Sequence, residues 1–443
     1  MKADYSVTYT HLFDKAWPII LANASVPLLG FVDTAVIGNF GVTEDLGAIA
    51  FGALIFSFVY WGFGFLRMGT TGFAAQARGS GNEKEVRAVL GRALLLAAVL
   101  GSLLIIAQIP IQLAAFALLE GSPNVETVAQ SYFSIRIWGA PATLATFALM
   151  GLLIGLGNSK QLLFLQLFLN GLNIILDLLF AGYLGLGAIG IALGTVLAEL
   201  TTVIVAGILI VKNLIKSKKS DEPFWTKKSI FNRAAIVKTI SSNFNIMIRT
   251  LLLVFSFAYF TNQSAQFGDI TLAANHILLQ LVSFAAFFLD GFAFVAEALV
   301  GKAMGEKFKA GFDDSVAKTS VLAGITAIIL ALVIIIFGEL MISALTDIQA
   351  IREEASNSLI LIAIYILLSV AAFQLDGIFI GASFTAQMRD AAIISLLVFL
   401  FACWILVPSY QIEGLWWAMI VYVIARAGAL LIFYPSLRRS LSS

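Results

Sequence analysis

Apolar residues run through the chain in twelve long segments separated by short polar stretches. About 20 apolar residues in a helix are enough to cross the hydrocarbon core of a bilayer. Inside a bilayer, backbone polar groups must be satisfied within the segment itself, which favours helices over open sheets. We therefore predict an all-α polytopic membrane protein with twelve transmembrane helices. The predicted spans are 12–39, 46–77, 86–110, 128–155, 161–182, 188–211, 235–261, 271–301, 317–337, 356–381, 390–408 and 413–435.

Composition agrees with this class and excludes several functions. Hydrophobic residues make up 60% of the 443 residues and charged residues 12%, whereas soluble domains carry about 25% charged residues. The net charge of +1 offers no basic platform for nucleic acid. With one cysteine, two histidines and no nucleophile–base motif or metal-ligand spacing, we expect neither an enzyme nor a resident cofactor.

The positive charges predict an orientation. With the N-terminus inside, 22 of the 27 lysines and arginines fall in inner segments, and Arg352 alone falls in an outer loop. Positively charged loops stay in the cytoplasm. The first residues contain no apolar stretch followed by a small-residue cleavage site. We expect a multi-pass protein of the inner or plasma membrane with both termini in the cytoplasm.

The most basic loop divides the predicted spans into two sets of six. We predict an N-lobe (1–211), a cytoplasmic linker (212–234) and a C-lobe (235–443). Because six is even, both lobes have the same orientation and would be related by a pseudo-two-fold axis along the membrane normal. "GLLIGLGNSKQ" (151–161) aligns with "GIFIGASFTAQ" (377–387), and "AAQARGSGN" at the end of span two aligns with "ALVGKAMGE" at the end of span eight. Such parallel repeats are typical of alternating-access transporters.

Ten charged residues lie within the predicted spans: Asp33, Arg67, Arg136, Asp177, Glu199, Arg249, Asp290, Glu297, Asp376 and Arg426. A charge at the centre of a spanning helix costs about 2.5–3.5 kcal/mol. For Glu199 and three of the arginines, snorkelling to the interface or a structural ion pair is the alternative to a functional role. Asp33, Asp177, Asp290 and Glu297 are too deep and too short to snorkel, so we assign them a function.

Four polar residues predict an ion-coupling site. Asp33, Asp177 and Thr195 each lie about 8–10 Å below the outer surface at 1.5 Å per residue. Asn173 lies one helical turn deeper, on the same face as Asp177. Their oxygen atoms could hold Na⁺, or the two carboxylates could share a proton. The alternative is that Asn173 and Thr195 only bind neighbouring helices through hydrogen bonds.

A second set of charges predicts an inner gate. Arg67 in span two and Asp290 in span eight each lie about three helical turns before the inner end of their span. The repeat alignment places Asp290 one position from Arg67. Glu297 lies two turns beyond Asp290 on the same face. We predict that Arg67 pairs with Asp290 or Glu297 across the two lobes. The alternative is that each charge is satisfied within its own lobe.

Span one contains a predicted bend beside its aspartate. Pro27 and Gly30 precede Asp33, and a proline removes one helical hydrogen bond. A shift driven by protonation could act at this bend. The alternative is a static kink, since proline is common in transmembrane helices.

Five motifs resemble the DinF-like branch of the multidrug and toxic compound extrusion (MATE) transporters, and they occur in the family's order. They are "PLLGFVDTAVIG", "FLRMGTTGFAAQ", "LNGLNIILDLLF", "IGIALGTVLAE" and "LDGFAFVAEALVGKAMG". The resemblance implies a secondary antiporter with two six-helix lobes around a central cleft. It also implies export of cationic and amphipathic compounds in exchange for H⁺ or Na⁺. The family's N-lobe cation site maps by motif onto Asp33, Asn173, Asp177 and Thr195.

Other branches of this family carry acidic residues in spans seven and ten. The core of span seven has no carboxylate here, although Asp376 resembles the span-ten position. Asp376 and Glu199 are therefore secondary candidates, and the N-lobe is the expected coupling site. We predict a monomeric drug/H⁺ antiporter, with Na⁺ as the alternative ion. A lipid-linked-oligosaccharide flippase and a membrane scaffold or channel are the rival functions.

Overall fold

The computed structural model describes residues 7–118, 122–216 and 223–441. Within these ranges the chain is almost entirely helical and contains no strand, which confirms the predicted all-α class. Seventeen helices, α1 to α17, follow one another in this part of the chain.

The helices of the first half are α1 (Tyr9–Ala24), α2 (Val26–Phe40), α3 (Thr43–Trp61), α4 (Phe65–Gly79), α5 (Glu83–Ile106), α6 (Gln108–Leu118), α7 (Pro123–Arg136), α8 (Ala140–Gly155), α9 (Ser159–Asp177) and α10 (Gly187–Lys216). Two 3₁₀ turns (Gly62–Gly64 and Ile137–Gly139) join helices end to end, and a π-helical segment (Leu178–Tyr183) follows α9.

The helices of the second half are α11 (Lys227–Ile230), α12 (Arg233–Ala265), α13 (Asp269–Glu306), α14 (Lys309–Leu345), α15 (Gln349–Asn357), α16 (Leu359–Ala382) and α17 (Thr385–Arg439). The backbone of α17 leaves the helical conformation at Gln411, where φ is 49° and ψ is −124°. Two helices therefore meet at this residue, between the last two predicted spans.

Contacts divide the chain into two compact units. The first unit is Leu21–Thr239, and the second combines the chain up to Ile20 with Ile240 onward. The predicted lobe boundaries at 211 and 235 stay a prediction. The two compact units differ from the predicted lobes in one respect, because the start of α1 belongs to the same unit as the second half of the chain. One such contact is made at Gly291, where an added Cβ would lie 2.3 Å from Cγ1 of Ile20.

Ten helices in the described residues are long and apolar enough to cross a membrane. The first predicted span is not among them because it is broken into α1, of 16 residues, and α2, of 15 residues. The last two predicted spans count once because they are merged in α17. The chain is a multi-pass membrane protein, and the total of twelve spans stays a prediction.

The break in the first span lies at Ser25, two positions before Pro27. Pro27 occupies the first turn of α2, where its missing N–H removes no helical hydrogen bond. A Cβ added to Gly30 would meet no atom within 4 Å. Ser25 itself keeps a helical backbone conformation, with φ −77° and ψ −16°, and its N–H donates to the carbonyl of Leu21 at 3.0 Å. The first span is therefore interrupted for a single residue just before the proline, and the proposed motion of Pro27 and Gly30 stays a prediction.

Two glycines of α8 let it pack directly on the backbone of α4. A Cβ added to Gly151 would lie 2.3 Å from the carbonyl oxygen of Arg67, and one added to Gly155 would lie 2.5 Å from that of Thr71. Small residues that allow backbones to approach in this way are typical of packed transmembrane helices.

The second unit repeats this contact between α16 and α13. A Cβ added to Gly377 or Gly381 would lie 2.4 Å from the carbonyl oxygens of Ala293 and Glu297, respectively. The same pair of glycines, one turn apart, again faces two carbonyl groups one turn apart. These contacts support the predicted duplication.

The two sets of contacts share a single register. Gly151 corresponds to Gly377, and its contact Arg67 corresponds to Ala293, with the same separation along the chain in both cases. The sequence alignment of the ends of spans two and eight, which set Asp290 one position from Arg67, is therefore wrong by two positions. Close-packed glycines fix the register because a shift of either helix would drive side chains into the opposing backbone.

We expect Gly151→Ala to destabilise the protein by about 1–3 kcal/mol, because the added methyl overpacks against a backbone carbonyl that cannot move aside. Thermal unfolding of the purified protein in detergent measures the effect. Gly171→Ala is the matched control, since a Cβ there meets no atom within 4 Å. Equal stability of the two variants would contradict the close approach of α4 and α8.

Candidate functional site

Four buried polar residues form a stripe along one face of α9. They are Gln166, Asn170, Asn173 and Asp177, spaced so that each lies one turn from the next. Asp177 is the last residue of α9, and the π-helical segment begins directly after it. Short π-helical segments are frequent at functional sites. The stripe ends at a carboxylate beside an irregular backbone.

Asn173, Asp177 and Thr195 lie together in the first unit. The Asn173 amide donates to Asp177 Oδ2 at 2.8 Å, and its Nδ2 lies 3.4 Å from Thr195 Oγ1. The Thr195 hydroxyl itself donates to the carbonyl of Ile191 at 2.9 Å. Asn173 and Asp177 have no exposed surface. The structure thus brings three of the four predicted coupling residues into one buried network.

Asp33, on α2, completes this group. Its carboxyl group lies within hydrogen-bonding reach of the Asp177 carboxyl group. Oδ1 of each aspartate is buried, and no donor among the described residues faces either atom. Because ionised carboxylates only accept hydrogen bonds, the two groups can bond to each other only when one carries a proton. We define these four residues, Asp33, Asn173, Asp177 and Thr195, as the coupling cluster.

Glycines on α10 make room for the coupling cluster. A Cβ added to Gly194 would lie 2.3 Å from Asp177 Oδ1, and one added to Gly190 would lie 2.6 Å from the backbone nitrogen of Ala181 in the π-helical segment. The α10 backbone can therefore approach the end of α9 closely. Sequence reasoning missed these two glycines, although their one-turn spacing is typical of closely packed transmembrane helices.

We expect Gly194→Ala to reduce substrate transport strongly while leaving the fold intact. The new methyl displaces the Asp177 carboxylate, whereas the nearest backbone atom, the Asp177 nitrogen at 3.3 Å, has to give by only a few tenths of an ångström. Transport by reconstituted protein and unfolding temperature are measured together. Gly207→Ala on the same helix is the control, since a Cβ there meets no atom within 4 Å. Wild-type transport by the Gly194 variant would show that the position of the Asp177 carboxylate is not critical.

Asn170 ties α9 to the break in the first span. Its side chain donates to the backbone oxygen of Ser25 at 2.9 Å and to the Ser25 hydroxyl oxygen at 3.0 Å. Gln166 in turn donates to the Asn170 side-chain oxygen at 3.0 Å. The start of α2, and with it Asp33, is thus held against the helix that carries Asp177. Sequence reasoning missed Asn170 and Gln166, although the polar stripe on α9 would have identified both.

Arg136 and Glu199 form a buried ion pair in the first unit. The pair is bidentate, with N–O distances of 2.6 and 2.9 Å, and the Thr143 hydroxyl donates to Glu199 Oε2 at 2.8 Å. The Arg136 guanidinium lies 5.3 and 5.5 Å from the ring centroids of Phe56 and Tyr60. This arrangement supports the structural alternative for Glu199.

The second unit has no carboxylate at the positions equivalent to the aspartates of the coupling cluster. In the register that the glycine contacts fix, Asp33, Asn173 and Asp177 correspond to Tyr259, Phe399 and Cys403. The rings of Tyr259 and Phe399 contact each other edge to face, with centroids 5.9 Å apart. An apolar contact therefore takes the place of the polar one. The sequence expectation that the N-lobe holds the ion site agrees with this asymmetry.

Asp376, the secondary candidate in the second unit, is bound by two arginines. Arg249 on α12 and Arg426 on α17 both donate to Asp376 Oδ2, and the distance from Arg426 is 2.6 Å. A carboxylate already held by two guanidinium groups is a poor ligand for Na⁺.

The predicted gate residues belong to both units. Arg67 lies on α4 in the first unit, and Asp290 and Glu297 lie on α13 in the second. Glu297 is buried. Their pairing stays a prediction.

Comparison with known proteins identifies relatives along most of the chain. A model of the MatE family matches residues 18–179 and again 246–405. DNA damage-inducible protein F of Escherichia coli K12 is 35% identical over 416 residues, which cover 94% of this chain and 89% of that protein. Multidrug resistance protein NorM of Aliivibrio fischeri is 24% identical over 377 residues, covering 82% and 78%.

A solved structure shares the fold. The Vibrio cholerae MATE transporter VcmN in its bent form matches with a TM-score of 0.89 and 18% identity, covering 99% of this chain and 98% of that one. The two separate matches to the family model agree with the duplication that the glycine contacts support. The chain therefore belongs to the MatE family, whose members are membrane transporters and not enzymes.

Proposed function

We propose that the protein is an antiporter that exports cationic or amphipathic organic compounds in exchange for protons. One observation carries the proposal: the carboxyl groups of Asp33 and Asp177 lie within hydrogen-bonding reach, with no donor among the described residues facing Oδ1 of either. Such a pair binds one proton between two oxygens, and its charge changes by one unit when the proton leaves.

The charge change couples release of the substrate to the proton gradient, which supplies the driving force. The deprotonated cluster attracts a cationic substrate, and a proton entering from outside weakens that attraction. Ligands move a transporter between two states only through their differential binding to those states. Because Asp33 lies on α2, the short helix that follows the break at Ser25, its protonation acts on the part of the first span that lies beyond this break.

The donor arrangement favours H⁺ over Na⁺. The Asn173 amide NH₂ is directed at Asp177 Oδ2 and toward Thr195 Oγ1, and N–H donors near an oxygen cluster disfavour a bound cation. Asn173 Oδ1 and the two free carboxylate oxygens still provide hard ligands for Na⁺, so the ion is tested directly.

Reconstituted vesicles with imposed gradients test the proposal. Vesicles that contain the purified protein are loaded with a cationic dye, and efflux is followed under a pH gradient, a Na⁺ gradient, or neither. We expect the pH gradient alone to accelerate efflux. Acceleration by Na⁺ alone reassigns the coupling ion, and equal rates under all three conditions would show that the protein is not an antiporter of this kind.

We also propose that the transporter works as a monomer in the inner or plasma membrane with both termini in the cytoplasm. The distribution of lysine and arginine between the predicted inner and outer loops supports this orientation. Labelling of single cysteines introduced near each terminus, in intact and permeabilised cells, tests it.

A further inference from the structure

Two arginines and one aspartate of the second unit form a cluster with excess positive charge. Arg249 and Arg426 donate to the same oxygen, Asp376 Oδ2, from two different helices. One carboxylate therefore faces two guanidinium groups, and the three ionised side chains sum to one positive charge. We call these three residues the arginine cluster.

Most hydrogen-bond donors of the arginine cluster remain available. A guanidinium group has five N–H donors, and among the described residues each arginine uses only Nη2, toward Asp376. The side chains of Asp376 and Arg426 keep 14% and 11% of their surface exposed. Planar guanidinium groups with unused N–H donors match the two oxygens of a carboxylate or phosphate.

A structural ion pair does not explain the second arginine. In the first unit, Arg136 meets Glu199 one to one, with both carboxylate oxygens bonded. In the arginine cluster, both guanidinium groups meet one oxygen of Asp376. The Tyr422 ring, whose centroid lies 5.7 Å from the Arg426 guanidinium, stabilises part of this charge. The cluster still keeps one net positive charge, which is expensive within a membrane protein and marks function. An anionic ligand would supply the missing negative charge.

We propose that Arg249 and Arg426 bind the carboxylate of zwitterionic or anionic organic substrates, and that Asp376 competes with this carboxylate for the same guanidinium groups. The inference rests on the proposed transport function, and it extends the substrate class beyond cations. The phosphate of a lipid head group has the same chemistry. Binding measurements in dodecyl maltoside distinguish a substrate carboxylate from a lipid phosphate, because this detergent has no anionic head group.

Two dyes that differ only at the carboxyl group test the proposal. Rhodamine 19 has a free carboxylate, and rhodamine 6G is its ethyl ester. Fluorescence anisotropy gives the dissociation constant of each dye for the full-length protein and for Arg249→Gln, Arg426→Gln and Asp376→Asn. We expect each arginine substitution to weaken rhodamine 19 binding about tenfold or more relative to rhodamine 6G. We expect Asp376→Asn to tighten rhodamine 19 binding, since it removes the competing carboxylate.

The proposal would be overturned if the dissociation constants of both dyes changed equally in all three variants. It would also be overturned if Asp376→Asn bound rhodamine 19 more weakly than the wild-type protein does. If an arginine variant fails to fold, benzoate competition on the wild-type protein replaces it. Benzoate should displace rhodamine 19 and not rhodamine 6G, and displacement of both or neither counts against the site. Because binding needs no gradient, a protein that selects rhodamine 19 but shows no pH-driven efflux refutes the proposed antiport alone. If the protein exports rhodamine 6G under a pH gradient but the arginine substitutions change the binding of both dyes equally, only the proposed role of the arginine cluster is refuted.

Discussion

Asp33→Asn should abolish efflux driven by a pH gradient, lowering it to the rate of protein-free vesicles. The substitution keeps the size of the side chain, and its amide NH₂ can donate to Asp177 as a protonated carboxyl group does. The variant therefore resembles the protonated state permanently and cannot release the proton. Efflux of a cationic dye from reconstituted vesicles, with the outside made acidic, measures the effect.

The same variant should lose the pH dependence of substrate binding. In the wild-type protein, we expect affinity for a cationic dye to fall as the pH is lowered, because protonation removes negative charge from the coupling cluster. In Asp33→Asn, affinity should be low and nearly constant with pH.

Two further variants make the result specific. Asp33→Glu keeps a titratable carboxyl group and should retain part of the transport. Asp14→Asn changes an aspartate in the second turn of α1, outside the coupling cluster, and should transport like the wild-type protein. Full pH-driven efflux by Asp33→Asn would remove Asp33 from the mechanism.

Glu199→Gln should destabilise the first unit by about 3–5 kcal/mol, because it leaves the buried charge of Arg136 without its partner. An arginine cannot shed its proton to relieve the loss. The neighbouring rings of Phe56 and Tyr60 retain only part of the stabilisation. Thermal or denaturant unfolding in detergent measures the change.

A double substitution and an exposed pair provide the controls. Replacing both Arg136 and Glu199 by methionine should be less damaging than Glu199→Gln, since an apolar pair leaves no buried charge. Arg438 and Asp313 form a bidentate pair of similar length at the surface, and Arg438→Gln should barely move the unfolding transition. If Glu199→Gln instead unfolds like the wild-type protein and loses pH-driven efflux, Glu199 is a coupling residue and not a structural one.

The first span shows what the sequence pattern predicts and what depends on tertiary packing. The apolar run from 12 to 39 predicts a spanning helix, and Pro27 predicts an irregularity within it. The position of the break depends on tertiary contacts. Asn170 of α9 donates to the backbone oxygen of Ser25, which bonds the carbonyl at the break to a side chain from another helix. No feature of the local sequence specifies that partner.

The sequence by itself determined the class of the protein and four residues of its candidate site, although it missed Asn170 and Gln166 on the same face of α9. Bilayer thickness sets the length of apolar runs, and helical periodicity places Asn173 and Asp177 on one face. Only the tertiary structure decided which charges meet. Equal depth in the membrane leaves the rotation of each helix undetermined, so the sequence could not tell that Glu199 pairs with Arg136 or that Asp376 meets two arginines. Rotation is set by close-packed contacts such as Gly194 against Asp177, and such contacts exist only once the helices have assembled.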